Sequence, residues 1–127
     1  MALSEHDQLL LDIFIKEILG DKRIVGVVLF GSALEQEIYR DIDLALISSE
    51  KLTAKQKLSI LLNAPDKFDV KFLEDLPLYV AKDTIKGKLL VNRNNNVIFD
   101  VFVDIIKKWE DFKPLYELYL DVVANGL

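Results

Sequence analysis

The pattern of hydrophobic and polar residues near the start of the chain predicts a helix followed by a strand. Apolar residues recur at helical spacing over Leu10–Ile18 and form one wide face. Ser4 is placed to cap the first turn of this helix, and Gly20 to end it in a left-handed conformation. Ile24–Phe30 is an unbroken apolar run rich in β-branched residues. It is too short for a typical helix and predicts a strand buried on both faces.

The rest of the chain continues to alternate between the two kinds of element. Because helices and strands alternate, we expect an α/β fold with a mixed central β-sheet flanked by helices and a helical C-terminal segment. The length and the absence of a linker predict a single domain over residues 1–127. The further predicted elements are a short helix after Gly31, a strand at Ile42–Ser48, a helix from the capping box Thr53–Gln56 to near Pro65, a strand at Phe68–Leu73, a helix between Pro77 and Gly87, a short strand at Lys88–Val91, and two helices separated by a break at Pro114.

Composition and charge narrow the class of protein. The chain has 127 residues, of which 51% are hydrophobic, so a disordered chain is a poor interpretation. Its net charge of -5 argues against direct binding of nucleic acid or an anionic membrane, since either would need a basic surface. No apolar run approaches the roughly 20 residues of a membrane span, and the N-terminus lacks the basic start of a signal peptide. We therefore expect a cytoplasmic protein.

The chain contains no cysteine and one histidine, His6. Disulfides, thiolate zinc sites and cysteine nucleophiles are therefore excluded. A single histidine also argues against a multi-histidine metal site or a Ser-His-Asp triad, so any chemistry depends largely on carboxylates.

Asp41 and Asp43 are the first pair of carboxylates with a chemically suggestive spacing. They lie one residue apart at the start of the predicted strand 42–48, so both point to the same face, roughly 6.5–7 Å apart at Cα. Two carboxylates at that distance can converge on one or two divalent cations, which relieve their mutual repulsion. The alternative is that both are simply solvated at an exposed strand edge.

Two further signals accompany this pair. Gly31 and Ser32 directly follow a buried strand, where glycine allows a tight turn and the serine hydroxyl and following N–H groups can hold a phosphate. Asp69 lies on the polar face of the predicted strand 68–73, beside Lys71. Each has a simpler explanation, an ordinary turn for Gly31-Ser32 and a solvated salt bridge for Asp69.

The order of these signals resembles the minimal nucleotidyltransferase family, a branch of the polymerase-β-like nucleotidyltransferase superfamily. The matching segments read VVLFGSALEQEIYRDIDLALI and FDVKFL. The later segments KLLVNRNNN and EDFKPLYELYL are similar to the C-terminal part of family members paired with HEPN toxins.

The resemblance implies a role for each matching residue. Asp41, Asp43 and Asp69 would be the catalytic residues and would bind two Mg²⁺ ions, with Asp69 also helping to activate the attacking hydroxyl. Gly31 and Ser32 would hold the triphosphate of ATP. In the best-matched branch, members act as antitoxins that transfer AMP to a tyrosine of a partner HEPN-type toxin. The resemblance thus implies a hetero-oligomer with a toxin, and a homo-oligomer is the alternative.

The segment after Gly31-Ser32 departs from the family pattern. The sequence has Ala33–Gln36 where the family usually has an Arg and a Gly, and only eight residues separate Ser32 from Asp41. Glu35 and Glu37 would repel phosphate, and Arg40 is the candidate that would supply the positive charge instead. A second hypothesis is therefore a catalytically degenerate module with the same fold that neutralises or regulates a partner by binding alone.

Aromatic residues supply two smaller hypotheses. Tyr39 lies beside the predicted site, where a base could stack on it. An aromatic stripe near the C-terminus is expected to pack in the core, and part of it could contact a partner near the predicted break at Pro114. The stripe consists of Trp109, Phe112, Tyr116 and Tyr119.

Overall fold

A computed structural model describes residues 3–36 and 38–126 and shows a four-stranded sheet flanked by helices. The prediction of a mixed central sheet with a helical C-terminal segment is confirmed. A short 3₁₀ turn, Leu73–Asp75, follows the third strand, which ends one residue earlier than predicted. The helices are α1 (Glu5–Ile18), α2 (Ser32–Glu35), α3 (Ala54–Leu61), α4 (Leu78–Thr84) and α5 (Asn95–Asn125), and the strands are β1 (Ile24–Phe30), β2 (Ile42–Ser48), β3 (Phe68–Phe72) and β4 (Lys88–Asn92).

The sheet has the strand order β3-β2-β1-β4. β1 runs antiparallel to both β2 and β4, whereas β2 and β3 are parallel. A parallel pair needs a crossover connection, and α3 supplies it between β2 and β3. β1 and β2 occupy the centre of the sheet, which explains why neither alternates regularly: β1 is a continuous apolar run and β2 is an apolar run that Asp43 interrupts.

The hydrophobic core forms two layers, one on each face of the sheet. On one face, Leu11 and Phe14 of α1 pack against β-strand residues such as Leu44, and Phe14 meets Phe68 edge-on at 5.8 Å between ring centroids. On the other face, α4 and α5 pack through Ala81 and other side chains. Alternate residues of each central strand therefore serve opposite layers.

Two of the predicted helix starts are confirmed in detail. The Ser4 hydroxyl accepts a hydrogen bond from the Asp7 backbone N–H and caps α1. At α3, the Thr53 hydroxyl accepts from the Gln56 N–H while the Gln56 side chain accepts from the Thr53 N–H, which completes the capping box.

The prediction that Gly20 ends α1 in a left-handed conformation is wrong. Gly20 does not have a positive φ, and the helix instead tightens into successive turns of the 3₁₀ type. The Gly20 N–H donates to the Glu17 carbonyl and the Asp21 N–H donates to the Ile18 carbonyl. These bonds satisfy the final carbonyls without a left-handed residue.

The predicted break at Pro114 is also wrong, because α5 runs through it as one helix of 31 residues. Proline lacks the N–H for one helical hydrogen bond, at a typical cost of about 3 kcal/mol. Aromatic contacts span this point: the Trp109 and Tyr116 rings lie 5.4 Å apart, and Tyr116 stacks on Tyr79 of α4 at 5.8 Å. The first contact joins residues on either side of the proline and the second holds the helix against α4 beyond it, so both favour a continuous helix over a break.

Length alone does not make α5 a membrane helix. In the part of the chain that the structure describes, no helix combines the length and the apolar character needed to cross a bilayer.

Phe14 provides a test of the core described above. Phe14 is 1% exposed, so Phe14→Ala is expected to lower the free energy of unfolding by about 3–4 kcal/mol through the cavity it leaves. Phe99→Ala is the matched control, since Phe99 is 64% exposed, and it should change that free energy by less than about 1 kcal/mol. Urea unfolding followed by circular dichroism measures both. Equal losses for the two variants would contradict the assigned core.

Candidate active site

The strand pairing brings two of the predicted site carboxylates together. Because β2 and β3 are parallel, the first residues of the two strands lie side by side, and Asp43 pairs in register with Asp69. Asp43 lies on the same face of β2 as Ala45 and Ile47, which pack against the α4 and α5 layer. At the start of the strands this face stays open, since Asp69 is exposed and Asp43 is only partly buried.

The antiparallel pairing of β1 and β2 brings Gly31 to the same place. Phe30, the last residue of β1, pairs with Asp43, so the chain turns at Gly31 directly against the Asp43 carboxylate. Gly31 has a φ of 77°, and a Cβ built on it would overlap Oδ2 of Asp43 and lie 3.1 Å from its Cγ. A side chain at this position would therefore meet both backbone strain and a steric clash, and only glycine avoids both.

Ser32, Arg40 and Asp41 lie around a recess beside Asp43. Ser32 begins the single turn of α2, while Asp41 immediately precedes β2. The recess has a volume of about 350 Å³. Gln36, Ile38 and Tyr39 complete its lining, together with Ser32, Arg40, Asp41 and Asp43. The structure thus brings the nucleotide-binding candidates Ser32 and Arg40 to the same recess as two of the three carboxylates.

The electrostatics of the site centre on Asp43. Burial raises the pKa of Asp43, and the carboxylates of Asp69 and Asp41 raise it further, while the Lys71 ammonium acts in the opposite direction. The ionised form of Asp43 is therefore less favourable here than in water. A bound cation would remove this penalty, because it would replace carboxylate repulsion with attraction.

The donor set suits a hard divalent cation. Carboxylate oxygens are the ligands that Mg²⁺ prefers, and the register of Asp43 with Asp69 supplies two of them from adjacent strands. Within residues 3–36 and 38–126, no three Asp, Glu, His or Cys side chains already stand in a ready-made metal cluster. Asp41 is exposed and precedes the strand, so its side chain has room to move toward a bound cation.

The simpler alternatives for these residues find partial support. Lys71 lies 3.9 Å from Asp69, so the solvated ion pair expected for Asp69 is present at the edge of the site. Glu35 is exposed at the end of α2, and Glu37 lies outside the described residues. Tyr39 lines the recess, but its hydroxyl donates a hydrogen bond to Asp7 at 2.7 Å, so its side chain is also anchored to α1.

Asp7 is the residue near the site that sequence reasoning missed. It is 3% exposed and accepts hydrogen bonds from Tyr39 and from Lys67, the latter at 2.9 Å. Asp7 falls at the same helical spacing as Leu11, Phe14 and Ile18, the buried stripe of α1. A carboxylate at a core-facing position is the signal that could have indicated a buried polar network.

Comparison with known proteins assigns this arrangement to a family. The sequence profile of the family described as polymerase beta, nucleotidyltransferase, matches residues 14–96. This range contains all of the predicted site residues. A relative from Methanocaldococcus jannaschii, named "Putative protein adenylyltransferase", is 29% identical over 93 residues, which are 72% of this chain and 74% of the relative.

Solved structures share the fold. A chain in the structure of a tri-AMPylated Shewanella oneidensis HEPN toxin in complex with an MNT antitoxin matches with a TM-score of 0.65 and 22% identity, covering 92% of this chain and 98% of that one. A chain in a crystal structure of a toxin–antitoxin with AMP-PNP matches with a TM-score of 0.67 and 20% identity, covering 89% and 98%. The predicted small nucleotidyltransferase fold is therefore confirmed.

The close approach of Gly31 to Asp43 can be tested with alanine at two glycines. Gly31→Ala is expected to lower the free energy of unfolding by about 2–4 kcal/mol, because it combines left-handed strain with a clash. Gly126→Ala is the matched control, since Gly126 has a φ of 63° but nothing within 4 Å of the added Cβ. It should lower that free energy by only about 1 kcal/mol. Thermal denaturation measures both, and equal effects would rule out the clash.

Proposed function

The chain belongs to the polymerase beta nucleotidyltransferase family, and we propose that it transfers AMP from ATP to a tyrosine hydroxyl of a HEPN-type toxin, acting as an antitoxin. The observation that carries this proposal is the convergence of Asp43 and Asp69, in register on adjacent strands, with Gly31 folded against Asp43. In this reaction the acceptor oxygen attacks the α-phosphate of ATP, and the bond to the departing pyrophosphate breaks.

The three carboxylates have distinct places in the proposed reaction. Asp41 and Asp43 would hold two Mg²⁺ ions, and Asp69 would share one of them. Bound Mg²⁺ supplies charge stabilisation for the attacking and leaving oxygens of an in-line displacement. Asp69 is exposed on the edge strand, where an acceptor from another protein could reach it, and its proposed role is to help take the hydroxyl proton.

Gly31, Ser32 and Arg40 are the proposed nucleotide-binding residues. Gly31 would act through its backbone, because its positive φ turns the chain at the end of β1 toward Ser32. The Ser32 side chain lines the recess, where its hydroxyl could donate a hydrogen bond to a phosphate. Arg40 lines the same recess and offers a guanidinium for phosphate oxygens. It would supply the positive charge that the segment Ala33–Gln36 lacks.

The acceptor and the partner are proposed from the relatives. The Methanocaldococcus jannaschii relative is named for protein adenylyl transfer, and one matched structure contains an AMPylated HEPN toxin with an MNT antitoxin. The other contains AMP-PNP, an ATP analogue. A tyrosine-bearing HEPN-type toxin and ATP are therefore the natural substrates to test.

A second candidate function, neutralisation by binding alone, is favoured by the end of α5. Its apolar side chains continue beyond the contacts with α4 and remain exposed, with Leu115 62% and Val123 63% accessible. Large exposed apolar side chains in a group are typical of protein-binding surfaces. The other members of this exposed group are Phe112, Leu118, Tyr119 and Leu120.

Label transfer tests the catalytic proposal. The protein is incubated with Mg²⁺, ATP labelled at the α-phosphate and a HEPN-type toxin as the candidate acceptor. Replacing both Asp41 and Asp43 by Ala is expected to reduce labelling of that protein by on the order of 100-fold or more, since the charge stabilisation is worth several kcal/mol. Asp111→Ala is the control, because Asp111 is an exposed carboxylate on α5 and its loss should leave labelling unchanged.

The same experiment separates the two candidate functions. Label transfer that persists in the double variant would overturn the assignment of the carboxylates. An absence of label in the wild-type reaction, with full toxin neutralisation by Asp43→Asn, would favour the binding-only module. Loss of neutralisation in Asp43→Asn with retained binding would exclude that module.

The metal proposal has a test that needs no turnover. Without divalent cations, Asp43→Asn is expected to raise the melting temperature, because it removes a partly buried charge that faces two other carboxylates. Added Mg²⁺ should stabilise the wild type and not the variant, as only the wild type retains the site. Asp111→Asn should behave like the wild type. Equal Mg²⁺ stabilisation of the wild type and Asp43→Asn would contradict a role for Asp43 in metal binding.

A further inference from the structure

A buried carboxylate outside the motif joins the two chain segments that carry Asp41 and Asp69. Asp7 of α1 is 3% exposed, and its Oδ2 accepts from the Tyr39 hydroxyl at 2.7 Å and from the Lys67 ammonium at 2.9 Å. Hydrogen bonds from Lys67 and Tyr39 lower the pKa of Asp7 against the opposing effect of burial, so the carboxylate is held ionised.

The two donors occupy equivalent places in the chain. Tyr39 lies two residues before Asp41, and Lys67 lies two residues before Asp69. A main-chain bond also ties the segments together, since the Ile42 N–H donates to the Lys67 carbonyl at 2.9 Å. The Lys67 ammonium lies 5.0 Å from the centroid of the Tyr39 ring. The Asp7 carboxylate thus holds in place both of the segments that lead into the site, the one before Asp41 and the one before Asp69.

The segment before β2 has little else to define its path. Residues 36 and 38–41 form neither helix nor strand, and Arg40 and Asp41 are exposed. Tyr39 is the exception, because its partly buried ring packs against the core layer of α1. The Ser4 N–H donates to the Tyr39 hydroxyl at 3.1 Å, which further anchors the ring to the start of α1.

We propose that Asp7 is a positioning residue for nucleotidyl transfer, which sets the places of Asp41 and Asp69 by holding Tyr39 and Lys67. This inference rests on the proposed function of the site. Asp7 does not touch the reacting atoms. Its effect passes through the backbone of two short segments, as with hydrogen-bonded groups that orient metal ligands from behind.

Tyr39→Phe is the sharpest variant, because it removes one hydroxyl and keeps the buried ring. The variant is expected to need about tenfold more Mg²⁺ for half-maximal thermal stabilisation, measured without ATP, and to transfer AMP about tenfold more slowly. Tyr79→Phe is the matched control, since Tyr79 is 48% exposed on α4 and phenylalanine keeps its stacking on Tyr116, and it should match the wild type in both measurements. Asp7→Asn, which keeps the shape but loses the charge, should shift the Mg²⁺ midpoint in the same direction.

The outcomes are distinguishable from those that test the function itself. A wild-type Mg²⁺ midpoint and a wild-type rate in Tyr39→Phe would overturn the positioning role while leaving the proposed function intact. The positioning role would also be overturned if the Mg²⁺ midpoint were unchanged and the slower rate were fully explained by a smaller fraction of folded protein. That result would show a purely structural role. If the wild-type chain shows neither AMP transfer nor Mg²⁺ stabilisation, the proposed function fails and the inference fails with it.

Discussion

The two pairings of β2 are the constraint on which the site depends. Its antiparallel partner, β1, ends where β2 begins, and its parallel partner, β3, begins at the same level. The turn at Gly31 and the carboxylate of Asp69 therefore meet Asp43 from opposite sides of one strand. A shift of either register by one residue would turn Asp43 or its partner to the other face and separate the three.

This arrangement places electrostatic repulsion at the partly buried carboxylate of Asp43. Asp43 lies beside two other carboxylates and against the backbone of Gly31, and the Lys71 ammonium offsets part of this repulsion. The cost is tolerated because the neighbouring residues of β2 anchor the strand in the core, with Ile42 and Leu44 at 0% exposure. A site that is unfavourable when empty is suited to binding cations, because part of the binding free energy comes from relieving the repulsion.

The sequence predicts the elements well where local chemistry decides them. The bounds of β1 and β2 agree at both ends, since largely apolar runs between polar turns leave little ambiguity, and the capping box at Thr53 identifies the start of α3. The predictions at Gly20 and Pro114 are wrong for a common reason. Both rest on intrinsic preferences of single residues, and neighbouring hydrogen bonds or aromatic contacts outweighed them.

The site residues also differ in this respect: local sequence relates some of them to one another, and long-range contacts bring the others together. Asp41 and Asp43 could be placed together from their spacing along the chain. Ser32 and Asp69 are joined to them by the family resemblance, because no local pattern specifies the pairings of β2 that bring the four residues together. The network of Asp7, Tyr39 and Lys67 connects residues 32 and 60 positions apart. The pairing of such distant residues could not be read from one sequence.

The position of β3 has a consequence for solubility. β3 is an edge strand, whose unpaired backbone groups can add a strand from another molecule and so begin aggregation. Its exposed residues are Asp69 and Lys71, with side chains 49% and 56% accessible. Charges on an edge strand discourage such additions. Asp69 therefore has a protective role that does not depend on catalysis, and neutralising it would leave a flatter, less charged edge open to other chains.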